Sequence, residues 1–334
     1  MIHRRISAVF AGAIIIAGAA CLLGVGAAYA AKLDGKVSLD GSSTVYPISE
    51  AVAEEFQAAN SGVKVTVGIS GTGGGFKKSC MGEIDISDAS RPIKQSEIDM
   101  AKQNGIDFIE LPIAFDGLSI VVNPKNTWVD KLTLAELKSI WAPGSTITNW
   151  SQVRQGFPNV PLKLFGPGTD SGTFEYFTEA VNGKAKESRS DFTASEDDNV
   201  LVMGVAGEKG ALGYFGYAYY EENAGKLKLV PVDAGKGAIA PSAKTISNGS
   251  YSPLSRPLFI YVNAKSAQRP EVDAFVKFFL DNASSLVKEV GYVALPDSAY
   301  DMVTARYEKR KTGSVFSGKE TIGLTIEQVL AAEK

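Results

Sequence analysis

Histidine is all but missing from this chain. Its 334 residues include one histidine, His3, and two cysteines, Cys21 and Cys80. His3 and Cys21 both fall within the first 30 residues, which read as an export leader. Arg4 and Arg5 make a positive start, residues 6–26 form an uncharged apolar run, and Ala28-Tyr29-Ala30 is a small-x-small signature that places cleavage before Ala31. Two other readings are weighed against cleavage. The run is about as long as a bilayer core requires, so it could anchor the chain. Cys21 could carry a lipid, but Gly18-Ala19-Ala20 before it lacks the usual leucine. Cleavage is the expectation taken forward. It leaves no histidine and one cysteine, Cys80. An internal disulfide, a zinc site of the usual Cys/His kind, a Ser-His-Asp triad and a Cys-His pair are all excluded from such a chain.

A basic excess is lacking as well. The chain carries 34 Lys and Arg against 37 Asp and Glu, a formal charge of −3. Nothing in that balance neutralises a nucleic-acid backbone, so DNA and RNA are not expected partners. A mildly negative protein also offers no long-range attraction to an anion. Any anion site must be built locally, from nearby donors. Coiled-coil heptads, low-complexity tracts and solenoid repeats are absent. What is present is an ordinary globular composition, 45% hydrophobic and 21% charged, with a length that suits about two domains.

Strands and helices alternate along the chain, which is the pattern of an α/β fold. Val37-Ser38-Leu39-Asp40 is a short strand. Val45, Ile48, Val52 and Phe56 recur at helical spacing, with Pro47 suited to the first turn. The β-branched alternation of residues 63–67 predicts a strand, running into a glycine-rich turn over 68–75 and a helix over 76–81. Strands are expected at 85–88, 108–111, 118–123 and 162–165. Residues 213–220 read as an aromatic strand. Ser96 suits a helix cap and Gly105 its end. Thr133-Leu134-Ala135-Glu136 fits a capping box. Helices are expected after Thr173, stopped by Asn182-Gly183, and over 199–206, 271–280 and 297–311. Leu258 to Asn263 echoes Leu118 to Asn123, each an apolar strand ending in Val-Asn. Two such crossing strands suggest two α/β lobes joined by two segments.

Three strand-to-helix junctions share one chemistry: Ser42-Ser43-Thr44, Ser70-Gly71-Thr72 and Ser171-Gly172-Thr173. A helix start exposes unpaired N–H groups and the positive end of the dipole. Hydroxyls add donors, and glycine admits an anion close to the backbone. Together these can hold an anion without a metal. Any one junction alone also reads as an ordinary N-cap; the repetition is the informative feature. No Gly-Lys-Ser/Thr motif of the Walker type occurs in these loops, which disfavours a nucleoside triphosphate. Arg91, between a strand and Pro92, is the candidate cation, since a guanidinium holds two oxyanion oxygens at once. A fixed carboxylate would read a proton on the ligand. Phosphate near neutral pH has one to donate, whereas sulfate has none and would be repelled. Asp116, Asp170 and Asp88 are the candidates.

On these residues the chain resembles the phosphate-binding subunit of the phosphate ABC importer, the PstS-like family of periplasmic solute-binding proteins. The matching stretches are Asp40-Gly-Ser-Ser-Thr-Val-Tyr-Pro47, Gly68-Ile-Ser-Gly-Thr-Gly-Gly-Gly-Phe76, Ala89-Ser-Arg-Pro-Ile93, Ala114-Phe-Asp-Gly117 with Val121-Val-Asn-Pro124, and Gly168-Thr-Asp-Ser-Gly-Thr-Phe174. They keep their order over nearly all of the mature sequence. The resemblance implies a type II periplasmic binding protein, with lobe I formed by residues 31–117 and 258–334 and lobe II by 118–257. It implies that Ser43, Thr44, Ser70, Arg91, Ser171, Gly172 and Thr173 contact phosphate, with Ser42 nearby, and it favours Asp116 as the acceptor. It also implies a monomer without cofactor or catalytic residues that hands phosphate to a membrane permease and its ATPase. One departure stands out. Better-known members place an arginine just before the third loop, where this chain has Leu164-Phe165-Gly166-Pro167. The alternatives carried forward are another tetrahedral oxyanion (sulfate, molybdate or tungstate), a Ser-Lys hydrolase using Ser171, and a surface sensor or adhesin.

Overall fold

The computed structural model describes residues 33–169, 171–316 and 325–331. The proposed leader, with its cleavage site, and Asp170 lie outside these residues. The first third of the chain is β1 (Gly35–Gly41), α1 (Tyr46–Ala59), β2 (Val63–Ile69), α2 (Gly71–Cys80), β3 (Ile86–Ala89), α3 (Gln95–Gln103) and β4 (Phe108–Val122). The middle contains β5 (Leu132–Thr133), α4 (Leu134–Trp141), β6 (Lys163–Pro167), α5 (Gly172–Phe177), β7 (Thr193–Ser195), α6 (Asp198–Gly207), β8 (Ala211–Gly216) and α7 (Tyr217–Glu222). Then come β9 (Lys228–Leu229), β10 (Val232–Asp233), β11 (Ala238–Ile239), α8 (Ala243–Ser247), β12 (Ser255–Asn263), α9 (Pro270–Glu289), β13 (Val293–Ala294), α10 (Asp297–Glu308) and α11 (Ile326–Ala331). This is a mixed α/β architecture.

The central sheet runs β2-β1-β3-β12-β4-β8-β6-β7, with β13 and β9 also paired to β4. β4 is its seam. Residues 108–117 pair antiparallel with β12, and Leu118–Val122 pair antiparallel with β8. One continuous strand thus belongs to two half-sheets, joined at Gly117-Leu118. The echoing segments fall on opposite sides of that seam, because Phe259–Val262 pair with β3 in the first half. Their likeness reflects shared burial rather than shared position.

Local physics accounts for most elements. In α1 the periodic residues Ile48, Val52 and Phe56 are buried, and the proline stands in the first turn. Phe56 meets Phe275 of α9 edge-on, ring centroids 5.3 Å apart, and each such buried ring contributes roughly 1.5–3 kcal/mol. Thr133 caps α4 in the expected box. Its Oγ1 accepts from the Glu136 N–H at 3.1 Å, and Glu136 Oε2 accepts from the Thr133 N–H at 2.8 Å.

The structure departs from the sequence expectations in four places. The glycine run is not a turn: α2 already begins at Gly71. A Cβ on Gly74 would sit 2.6 Å from Ser70 Oγ, and one on Gly75 would sit 2.7 Å from Gly41 Cα. Glycine there lets the helix lie against β1, which outweighs its poor helix propensity. The strands expected at 108–111 and 118–123 are one strand. Pro112, which lacks an N–H, is accommodated at a register shift between Leu258 and Phe259 on β12. The aromatic run from Gly213 divides, because the strand ends at Gly216 and Tyr217–Glu222 is helical. Ser96 lies inside α3. The cap position is Lys94, whose N–H donates to Glu97 Oε2 at 2.8 Å.

Candidate functional site

The loop after β1 gathers the other two. Ser70 N–H donates to Gly41 O at 3.1 Å, tying the second junction to the first. The third junction packs directly on Thr44: a Cβ on Gly172 would lie 2.7 Å from Thr44 Oγ1 and 2.8 Å from its Cα. Ser43 Oγ donates to Glu175 Oε2 at 3.4 Å, from α5. Three segments far apart in sequence therefore meet around Ser42-Ser43-Thr44. The first and third come from opposite sides of the β4 seam.

The hydroxyls are not equivalent. Ser42, buried, accepts from the Thr44 N–H at 3.2 Å and shapes its own loop. Ser171 caps α5, accepting from the Thr173 N–H at 3.1 Å. Ser70 caps α2 in position only, since its side chain makes no cap bond and instead donates to Asp40 Oδ1. Asp40 is also ion-paired to Lys78 at 2.6 Å. The Ser70 proton is thus spent on Asp40. α5 itself is short, six residues, but passes into a π-helical turn from Thr178 to Asn182.

Arg91 and Asp116 have different surroundings. Arg91 is held by Glu97 through two bonds, Nη1–Oε2 at 2.9 Å and Nη2–Oε1 at 2.8 Å. It also lies over Phe76, 5.4 Å from the ring centroid. Its charge is matched by a carboxylate before any ligand arrives. Asp116 is fully buried, and burial pushes its carboxyl above the ordinary range against the pull of Arg256. Asp88 is also fully buried. Burial pushes its carboxyl up to about 8, opposed by a hydrogen bond from Ser49 and reinforced by Asp40. Its Oδ2 has no hydrogen-bond partner. With its side chain turned toward Ser49 of α1, Asp88 is a core group behind the first loop.

Arg256 is the residue that sequence reasoning missed. Its Nη2 donates to Thr44 Oγ1 at 3.1 Å and lies 3.4 Å from Asp116 Oδ2. Its guanidinium is stacked on Tyr176 of α5, 3.6 Å from the ring centroid. The Tyr176 hydroxyl donates to Pro253 O at 2.6 Å. Arg256 thus touches the first junction, the helix of the third, and the buried carboxylate. A signal for it did exist. Ser255-Arg256-Pro257 repeats the Ser90-Arg91-Pro92 tripeptide. Because Ala89 of β3 pairs antiparallel with Phe259 of β12, both tripeptides emerge at the same end of the sheet. One arginine turns to Glu97 and the other to Thr44 and Asp116.

Cys80 is buried, its thiol donating to Glu97 O at 3.3 Å and pushed up to about 11 by burial. Among the described residues no group of three His, Cys, Asp or Glu is placed to hold a metal ion, and no helix is long and apolar enough to cross a membrane.

Comparison with known proteins places this geometry. Residues 26–283 match the model of the PBP superfamily domain. Protein SphX of Synechococcus elongatus is 54% identical over 300 residues, which cover 89% of this chain and 88% of that protein. The phosphate-binding protein PstS of Staphylococcus saprophyticus is 42% identical over 290 residues, 85% of this chain and 89% of its own. The crystal structure of a possible phosphate binding protein from Planctomyces limnophilus superposes with a TM-score of 0.81 at 52% identity, covering 84% of this chain and 99% of that one. The chain belongs to the PBP superfamily and, within it, to the family of the SphX and PstS proteins.

Proposed function

We propose that this protein captures inorganic phosphate outside the cytoplasmic membrane and delivers it to an ABC importer, acting as a binding protein and not as an enzyme. The observation that carries this reading is the meeting of Thr44, Gly172, Arg256 and Asp116 at the junction of two half-sheets. Hydroxyls, helix-start N–H groups and a guanidinium supply donors to a tetrahedral oxyanion. A buried carboxylate supplies the acceptor for the one proton that phosphate keeps. The names of the relatives, phosphate-binding protein PstS among them, support the same ligand.

The ligand enters between two lobes, residues 31–117 with 258–334 and residues 118–257. The seam at Gly117-Leu118 supports the first boundary. Closure brings Ser43, Thr44, Ser70, Ser171, Gly172 and Thr173 around the anion, with Ser42 behind them and Asp170 beside the third loop. The closed form then offers its rim to a permease and its ATPase. The protein acts as a monomer in the periplasm after removal of residues 1–30.

Titration calorimetry with inorganic phosphate tests this. One saturable site is expected, accompanied by a rise in melting temperature. Absence of heat and of any thermal shift at millimolar phosphate would overturn the reading. Tighter binding of sulfate, molybdate or tungstate in competition would reassign the ligand. Turnover of phosphate esters would point to a Ser-Lys hydrolase instead.

A further inference from the structure

We propose that Arg256 determines which anion this site accepts, by gripping the oxyanion along one edge of its guanidinium and by setting its positive charge against the Asp116 carboxyl beside it. The inference rests on the phosphate-binding reading above and names a residue that the sequence motifs did not.

Three features of Arg256 suit it to this role. The first is its free edge. Nε and Nη2 form the edge of a guanidinium that can meet two oxygens at once. In Arg256, Nη2 is shared between Thr44 Oγ1 at 3.1 Å and Asp116 Oδ2 at 3.4 Å, while Nε is buried with no partner. A buried donor left unpaired costs roughly 1–3 kcal/mol, and an oxyanion oxygen would remove that cost. In Arg91 the pair of Nη groups is turned to the Glu97 carboxylate instead.

The second feature is fixation. Stacking on Tyr176 at 3.6 Å sets the plane of the guanidinium, and the Tyr176 hydroxyl is itself anchored on Pro253 O. The edge is held in place before a ligand arrives, so little side-chain entropy is lost on binding.

The third feature is its effect on Asp116. The Asp116 side chain is only 2% exposed and that of Arg256 is 14% exposed. Burial drives the Asp116 carboxyl toward its protonated form, and Arg256 is the cation that opposes this. The phenols that sense the Asp116 charge, Tyr176 and Tyr292, are neutral, because burial raises both far above neutrality. An ionised Asp116 accepts a proton from phosphate and repels sulfate. A protonated Asp116 would donate to either anion. Removing Arg256 therefore weakens the grip and also blunts the choice.

The test is calorimetry on the mature protein with inorganic phosphate, with sulfate measured by displacement, for wild type, Arg256→Gln and Arg256→Lys. In Arg256→Gln we expect phosphate affinity to fall at least 100-fold and the preference for phosphate over sulfate to shrink at least tenfold. Arg256→Lys keeps the charge but loses the fork, so it loses about tenfold in affinity and retains most of the preference. A purely structural arginine would weaken both anions alike, and an unchanged ratio in folded Arg256→Gln overturns the proposal. Should that variant fail to fold, unchanged phosphate affinity in Arg256→Lys overturns it. Wild type that binds no phosphate sinks the function itself, a result distinct from any difference between variants.

Discussion

Arg256 of β12 and Asp116 of β4 stand directly opposite each other in an antiparallel pair, Nη2 lying 3.4 Å from Oδ2. Opposed residues on one sheet face are close neighbours whatever their distance in sequence. Here 140 residues separate them. The pair joins the seam strand to the first anion loop through Thr44, so one cross-strand contact connects the architecture to the site.

Asp116→Asn should leave phosphate binding measurable while relaxing the exclusion of sulfate by about tenfold, roughly 1.4 kcal/mol. Competition calorimetry at neutral pH reads this directly. If sulfate still fails to compete, Asp116 is not the selector and Asp170 takes its place as the candidate.

Gly172→Ala introduces a Cβ 2.7–2.9 Å from three atoms of Thr44, two of them backbone. Overpacking of this kind costs about 1–3 kcal/mol. Because the clash falls between the first and third junctions, we expect phosphate affinity to drop by at least tenfold. Binding at wild-type strength would show that the two loops can part without harm to the site.

Arg91→Ala discriminates between the two Ser-Arg-Pro arginines. Its bidentate bond to Glu97 and its contact with Phe76 predict a loss of about 1 kcal/mol in stability. Its effect on phosphate should be smaller than that of Arg256→Ala by at least tenfold in Kd. The opposite ranking would return the role of ligand cation to Arg91.

Asp88 makes stability depend on pH. Its carboxyl is raised to about 8 in the folded protein, mainly by burial. Between the ordinary carboxylate range and pH 8, the unfolded chain is ionised while the native protein keeps its proton. Stability from this group is thus greatest at acid pH and is lost as pH rises through about 8. Asp88→Asn should flatten that slope, raising stability at pH 8.5 relative to pH 5 by an amount on the order of a few kcal/mol. Parallel melting curves for the variant and wild type across this range would refute it.

Much of the fold was legible because it follows from local rules. The alternation of Val63, Val65 and Val67 predicts β2. The spacing of Ile48, Val52 and Phe56 predicts the buried face of α1. Thr133 and Glu136 satisfy each other's backbone groups within one turn. Two of the misreadings occurred where a distant surface overrode local preference. The glycines of α2 look like a turn until β1 lies against them. Residues 108–111 and 118–123 look like two strands until the irregular pairing with β12 carries one strand through Pro112.

The site divides along the same line. By itself the sequence determined its inventory: no histidine beyond residue 3, hydroxyls and glycines at three helix starts, and three candidate carboxylates. Those are properties of residue type and of neighbours a few positions away. Only the tertiary structure decided which groups face one another. Ser70 turned to Asp40, Arg91 to Glu97, and Arg256 to Thr44 and Asp116. The physical reason is that β12 returns late in the chain to lie between β3 and β4, so strand register, rather than proximity in sequence, sets Asp116 opposite Arg256.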